Sequence, residues 1–201
     1  MVYVVEVTLG GGYQQLGKYP EFEERVSREE HRISVDAWKH GDHQLKPEQV
    51  PKKLILFKPR KNLRDAFRSL NGISVVSDAM REVIETLDPG LHQFFPIQVE
   101  FPRGKLPEKK YNVIIISTKK KTIIPELSEV DGPRYGKFYS VVEYRKDVSF
   151  APVCRDGAHM WREEGFRNEH FISDELAAAI KAKELKYLKH WPGKIVSTEE
   201  K

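Results

Sequence analysis

The sequence predicts an α+β fold: a mixed, largely antiparallel sheet with a few helices and a strand-helix-strand unit used twice. Three observations predict it. Strand-like and helix-like runs are interspersed without regular βαβ alternation. Residues 111–117 (YNVIIIS) form an unbroken apolar run of strand length, the pattern of a strand buried on both faces. The stretch VVSDAMREVI at 75–84 returns as FISDELAAAI at 171–180. Residues 1–201 are expected to form one α+β domain, with candidate lobes at 1–102 and 103–201, because no low-complexity segment or long linker divides the chain.

Taken in order, residues 2–9 (VYVVEVTL) are β-branched and aromatic, and Gly10-Gly11-Gly12 closes them as a strand. Residues 13–59 are polar and punctuated by Pro20, Pro47, Pro51 and Pro59, with a short strand in 52–58 (KKLILFK). In 62–70 (NLRDAFRSL), Leu63, Ala66, Phe67 and Leu70 fall at helical spacing, which predicts a helix capped by Asn62. A strand at 73–76 then feeds a helix that starts at Ser77 and stops before Asp88-Pro89-Gly90. Strands are predicted over 94–101 (FFPIQVEF), 111–117 and 137–144 (KFYSVVEY).

The echo is more than two shared letters. Ser77 and Ser173 stand 96 residues apart, and the same offset carries Asp78 onto Asp174, Ile84 onto Ile180, Phe95 onto Trp191, Pro96 onto Pro192 and Val99 onto Ile195. A serine before an acid invites a catalytic reading. The physics supplies a plainer one: a serine hydroxyl at the N-cap accepts from an orphan N–H of the first turn, and the aspartate faces the positive end of the helix dipole. Ala79, Met80, Val83, Ile84 and Leu87 are expected on the buried face of the first helix; Leu176, Ala179 and Ile180 on that of the second.

Other motifs dissolve on inspection. Gly12 to Lys18 has phosphate-loop spacing, but Tyr19 and Pro20 follow where Ser or Thr should hold Mg²⁺. His40 and His43 flank Asp42 without the third and fourth ligands a zinc centre wants. Cys154, Asp156 and His159 lie too close in sequence for the usual Cys-His-Asp site, whose partners come from distant parts of the chain. No catalytic, cofactor-binding or metal-binding residue is expected.

Lys and Arg total 34 against 30 for Asp and Glu, a formal charge of +4, with both signs interleaved. The one lysine cluster, Ser117 to Lys121, reads as a solvated turn rather than a nucleic-acid patch. A single cysteine excludes an internal disulfide framework. The first residues lack a basic signal-peptide region, and no run of about 18 apolar residues occurs. A cytoplasmic protein without membrane or nucleic-acid partners is the expectation.

Two segments carry a resemblance. NGISVVSDAMREVIE followed by GLHQFFPIQV, and DGAHMWREEGFRNEHFISDELAAAI, are similar to a family of bacterial immunity proteins from polymorphic toxin systems, long known only as a domain of unknown function. The matching elements are Val76-Ser77-Asp78, His92-Gln93-Phe94-Phe95-Pro96, His159-Met160-Trp161-Arg162 and Phe171-Ile172-Ser173-Asp174-Glu175-Leu176. The likeness is good from Gly72 onward and looser over the first sixty residues. It departs at Lys186-Tyr187-Leu188, where members often carry a glycine.

The resemblance implies a non-enzymatic protein that binds a cognate secreted toxin, with no cofactor. A generic protein-interaction domain is the first alternative. A small hydrolase near Cys154 and His159, and a nucleic-acid module over 105–121, are the others. Trp38, Trp161 and Trp191 are candidate anchors, and the partner surface is expected in the first sixty residues or around Lys119-Lys120-Lys121.

Overall fold

The computed structural model describes residues 2–5, 14–15, 17–20, 44–58, 63–69, 73–128, 130–134, 138–141, 148–165, 170–186 and 190–196. Their strands are β1 (Val2–Val5), β2 (Gln14–Gln15), β3 (Gly17–Lys18), β4 (Lys53–Leu56), β5 (Ala66–Ser69) and β6 (Ser74–Ser77), which runs into helix α1 (Asp78–Leu87). Then come β7 (Gln93–Glu100), β8 (Tyr111–Ile115), β9 (Lys119–Lys120), β10 (Val130–Arg134), β11 (Phe138–Val141), β12 (Ser149–Phe150) and β13 (Met160–Glu163). The last are β14 (His170–Ser173), helix α2 (Asp174–Ala182) and β15 (His190–Ile195). The architecture is α+β, with mostly antiparallel strands.

The strands form a seven-stranded sheet in the order β2-β5-β6-β8-β7-β4-β3, a six-stranded sheet in the order β12-β15-β1-β14-β13-β9, and the hairpin β10-β11. Read outward from the helices, the two large sheets are the same sheet. β6 pairs antiparallel with β5 and β8, as β14 does with β13 and β1. β7 pairs antiparallel with β8 and parallel with β4, as β15 does with β1 and β12. The short parallel edges β2-β5 and β9-β13 match as well.

Register is kept residue by residue. Ser77, Val76 and Val75 face Tyr111, Asn112 and Val113; Ser173, Ile172 and Phe171 face Val2, Tyr3 and Val4. Ile97, Pro96, Phe95 and Phe94 oppose Tyr111, Asn112, Val113 and Ile114 across the first sheet. Gly193, Pro192, Trp191 and His190, each 96 residues later, oppose Val2, Tyr3, Val4 and Val5 across the second. One strand is permuted: β1, from the other end of the chain, takes in the second unit the place that β8 holds in the first.

Strand alternation sends neighbouring residues into different cores. Val75, Phe67 and Val113 point into one outer core, with Leu54, Tyr19 and Val99. Phe171 and Trp161 point into the other, with Phe150 and Cys154. Their neighbours Val76, Ile114 and Ile172 face a middle core built with Met80, Val83 and Ile84 of α1 and Leu176, Ala177 and Ile180 of α2. The two helices pack against each other there, so both units bury their amphipathic faces in one place.

Two expectations fail. The helix expected over 62–70 is not formed within its described part, where Ala66–Ser69 is strand β5, because Ala66 faces the middle core while Phe67 fills the outer one; 62 and 70 lie outside the described residues. A helix buries one stripe; a strand held between β2 and β6 has two faces to fill. The apolar spacing that suggested a turn of helix is that of a strand covered on both sides. On α1, Ala79 is exposed, and on α2 Ala177 takes the fully buried place, with Ala179 half-buried.

Both serines are N-caps. Ser77 Oγ accepts from the Met80 N–H at 3.2 Å, and Ser173 Oγ accepts from the Leu176 N–H at 3.1 Å. Each hydroxyl also reaches the residue just before the neighbouring strand of its own unit. Ser77 Oγ donates to Asp65 Oδ1 at 2.8 Å, while Ser173 Oγ lies 2.8 Å from His159 Nδ1. The Ser77 N–H donates to the Asp65 carbonyl and the Ser173 N–H to the His159 carbonyl, at 2.7 and 2.8 Å. Asp65 and His159 are therefore one structural position.

That position also ties the units to each other. Asp65 Oδ2 accepts from the Lys186 N–H at 2.8 Å, just beyond α2, and Lys109 Nζ donates to the same carboxylate at 2.9 Å. In the mirror contact the carboxylate comes from the helix side. Asp88, at the end of α1, accepts from the His159 and Met160 N–H groups at 2.7 and 2.8 Å. His92 Nε2 sits 3.1 Å from the same carboxylate. Burial pushes both aspartates upward, yet these hydrogen bonds outweigh it and hold each carboxyl below its ordinary value.

Ser77→Ala and Ser173→Ala should each lower stability by about 1–2 kcal/mol in denaturant melts, the cost of a lost N-cap. An unchanged midpoint in both would refute the capping assignment. A carboxyl with a lowered folded pKa stabilises above its unfolded value and loses that contribution as pH falls through the folded one. Stability should therefore decline below about pH 4, the unfolded Asp range. Asp88→Asn should cost about 1.5–3 kcal/mol at pH 7 and flatten that decline, which a pH series of melts reads directly.

Candidate functional site

The residues that invited chemistry are engaged elsewhere. Cys154 is buried in the second outer core, and burial raises its thiol above the ordinary value, against the opposing pull of Lys120 and Arg155. Among the described residues no hydrogen bond joins it to His159 or Asp156, and Asp156 is exposed. The three residues close in sequence form no triad. His159 does meet Ser173, and Glu175 Oε2 lies 3.8 Å away, but from the same Nδ1 that faces the serine. A nucleophile-base-acid relay needs serine and acid on opposite ring nitrogens. The serine oxygen is moreover already accepting from its helix.

The other buried polar groups are structural too. Glu163 accepts from the Thr122 and Ile123 N–H groups and the Thr122 hydroxyl, so it pins the segment that crosses to the second sheet. Burial raises its carboxyl nonetheless. His170 is fully buried, and that burial, with Arg162 and Arg68 nearby, holds its imidazole well below the usual value. Lys120 Nζ donates to the Cys154 and Ala158 carbonyls at 3.1 and 2.7 Å and lies 4.2 Å from the centroid of Trp161. The middle lysine of the cluster, expected in a solvated turn, is thus a scaffold residue in β9. Trp161 is 0% exposed and is no surface anchor.

Gly17-Lys18 of the phosphate-loop lookalike is strand β3, paired antiparallel to Leu56 and Ile55. His40, His43 and Trp38 lie outside the described residues, as does the Trp191 side chain. Among the described residues no three His, Cys, Asp or Glu side chains gather as a metal site.

The surface does carry a groove of about 920 Å³ where α1 begins. Its floor follows from strand pairing. β7 is hydrogen-bonded to β8 over Gln93–Ile97 but to β4 only over Gln98–Glu100, so on the β4 side the first half of β7 has a loop for a neighbour. That loop is anchored by the Leu45 N–H, which donates to Gln93 Oε1 at 2.8 Å. Phe94, Phe95 and Pro96 stay partly open as a result.

On one wall the Arg81 guanidinium lies 5.2 Å from the Phe94 ring centroid and donates to Glu85 at 2.7 Å. Asp78 at the helix tip accepts from Asn112 Nδ2 at 2.7 Å. Lys52, Lys109, Lys110, Leu106 and Pro107 line the rest. The sequence marks Phe94-Phe95-Pro96 as a motif and leaves Arg81 off the expected buried face of the first helix, but nothing in their spacing says they meet. Of the expected partner regions, Pro47, Val50, Pro51 and Lys52 contribute to this groove.

The immunity protein family (Imm11) matches residues 2–194. The chain belongs to that immunity protein family. No curated protein matches it.

Because only burial shields Cys154, native protein should react with iodoacetamide far more slowly than unfolded protein, by at least about 100-fold. Mass spectrometry of timed samples reads this, and rapid native alkylation would revive an active-thiol reading.

Proposed function

We propose that this protein neutralises a cognate toxin by occupying its surface, inside the cell that makes it, with no bond made or broken. The observation that carries the reading is the family match over residues 2–194. Two features support it. The hydroxyls of Ser77 and Ser173 are consumed as helix caps, and the Cys154 thiol is buried in a core. The groove beside α1 offers an arginine, aromatic rings and lysines, residue types that anchor protein interfaces. Protection of a cell requires tight binding, and nanomolar affinity corresponds to about −12 kcal/mol.

Charge bears on the toxin. At +4 the chain is a poor mimic of nucleic acid, so the partner is a toxin without a strongly basic active cleft. Among the described residues no helix is long and apolar enough to cross a membrane, which accords with action on a toxin in an aqueous compartment.

The test is protection. Expressed in a susceptible bacterial host with the toxin domain encoded beside it, this chain should restore growth and co-purify with that domain in a fixed ratio. Cys154→Ala should protect as well as the parent. Loss of protection in that variant, with the fold intact, would favour the hydrolase reading. Growth arrest despite a soluble immunity chain would overturn the proposal.

A further inference from the structure

We propose, resting on the toxin-binding reading above, that the groove between the start of α1 and strand β7 is the docking site for an acidic segment of the toxin that also carries an apolar side chain. Four cationic residues line the groove, Lys52, Arg81, Lys109 and Lys110, against one carboxylate, Asp78. That carboxylate is held at the wall by Asn112 Nδ2 and faces the positive end of the helix dipole. Lys109 is held by Asp65 and Arg81 by Glu85. The surplus therefore comes from Lys52 and Lys110, both exposed and without an ion-pair partner among the described residues.

The apolar half of the site lies between those charges. Leu106, 55% exposed, projects at the rim, and Phe94 offers a ring already stacked under a guanidinium. A rigid aromatic-arginine pair loses little side-chain entropy on binding, which is the property of an interface anchor. At about 920 Å³ the groove has room for several side chains of one extended segment.

The duplication supplies an internal control. Residues that the fold demands recur in both units: the capping serine, the first-turn aspartate, the buried Met80 and Leu176, Ile84 and Ile180. Arg81 does not. Its counterpart 96 residues on is Ala177, which is buried in the middle core. Asn112, which orders Asp78, corresponds by strand register to Tyr3. The arginine wall of the groove thus belongs to one unit, at a helix position the other unit uses for core packing.

The experiment titrates the purified full chain with the toxin domain encoded beside it, by calorimetry. Lys52→Glu/Lys110→Glu and Leu106→Asp change only exposed side chains, and circular dichroism should show them folded. Each should weaken binding by about 100-fold or more, as like charges brought face to face across an interface do, whereas Lys181→Glu/Lys183→Glu on the exposed side of α2 should stay within about threefold. If the parent binds and the groove variants bind equally well, the groove assignment is overturned while toxin binding stands. If the parent does not bind at all, the immunity reading falls and takes the groove with it. Binding of a single-stranded oligonucleotide that Lys52→Glu/Lys110→Glu abolishes, with toxin affinity untouched, would replace the acidic segment by a nucleic acid and overturn the proposal.

Discussion

Two serine hydroxyls hold this molecule in register. Each one accepts from the first turn of its helix and meets, with the same oxygen, the residue just before the adjacent strand. Strand, helix and neighbouring strand are thereby fixed at one point. The residue so held, Asp65 in one unit and His159 in the other, then contacts the end of the other unit's helix. A cap worth about a kilocalorie in isolation thus sits beside each of the two hydrogen-bonded crossings between the units.

The two contacts solve one problem with different chemistry. In one, the strand-side residue brings the carboxylate and the helix side brings a backbone N–H. In the other, Asp88 on the helix side brings the carboxylate and accepts from two backbone N–H groups of the strand side. Either arrangement satisfies the donors left at the junction, and a buried donor left unsatisfied would cost about 1–3 kcal/mol. The requirement is that a carboxylate be present at each crossing; which element supplies it is open. This explains why an imidazole can stand beside Ser173 without making a reactive pair.

Duplication also separates scaffold from function. Where the units agree, the residues cap, pair or pack. Where they differ on the surface, the difference is free of the fold's demands, and Arg81 in the groove beside α1 is such a departure, its counterpart Ala177 being buried. The groove's exposed aromatic rings and cations are residue types that anchor protein interfaces, and Ser77, Ser173 and Cys154 are each engaged by the scaffold.

The sequence by itself determined the α+β class, the Ser-Asp caps, the strands β1, β4, β6, β7, β8 and β11 and the repeated unit, because each is written in local chemistry: an orphan N–H needs a hydroxyl, and alternation or an apolar run marks a strand. It misassigned Ala66–Ser69, since apolar spacing over so few residues fits a helix face and a doubly covered strand alike, and only the neighbours β2 and β6 decide. It was equally silent on β1 joining the far sheet, on Lys120 lying over Trp161, and on Arg81 meeting Phe94. Those depend on which distant segments become adjacent, and adjacency across dozens of residues leaves no trace in local spacing.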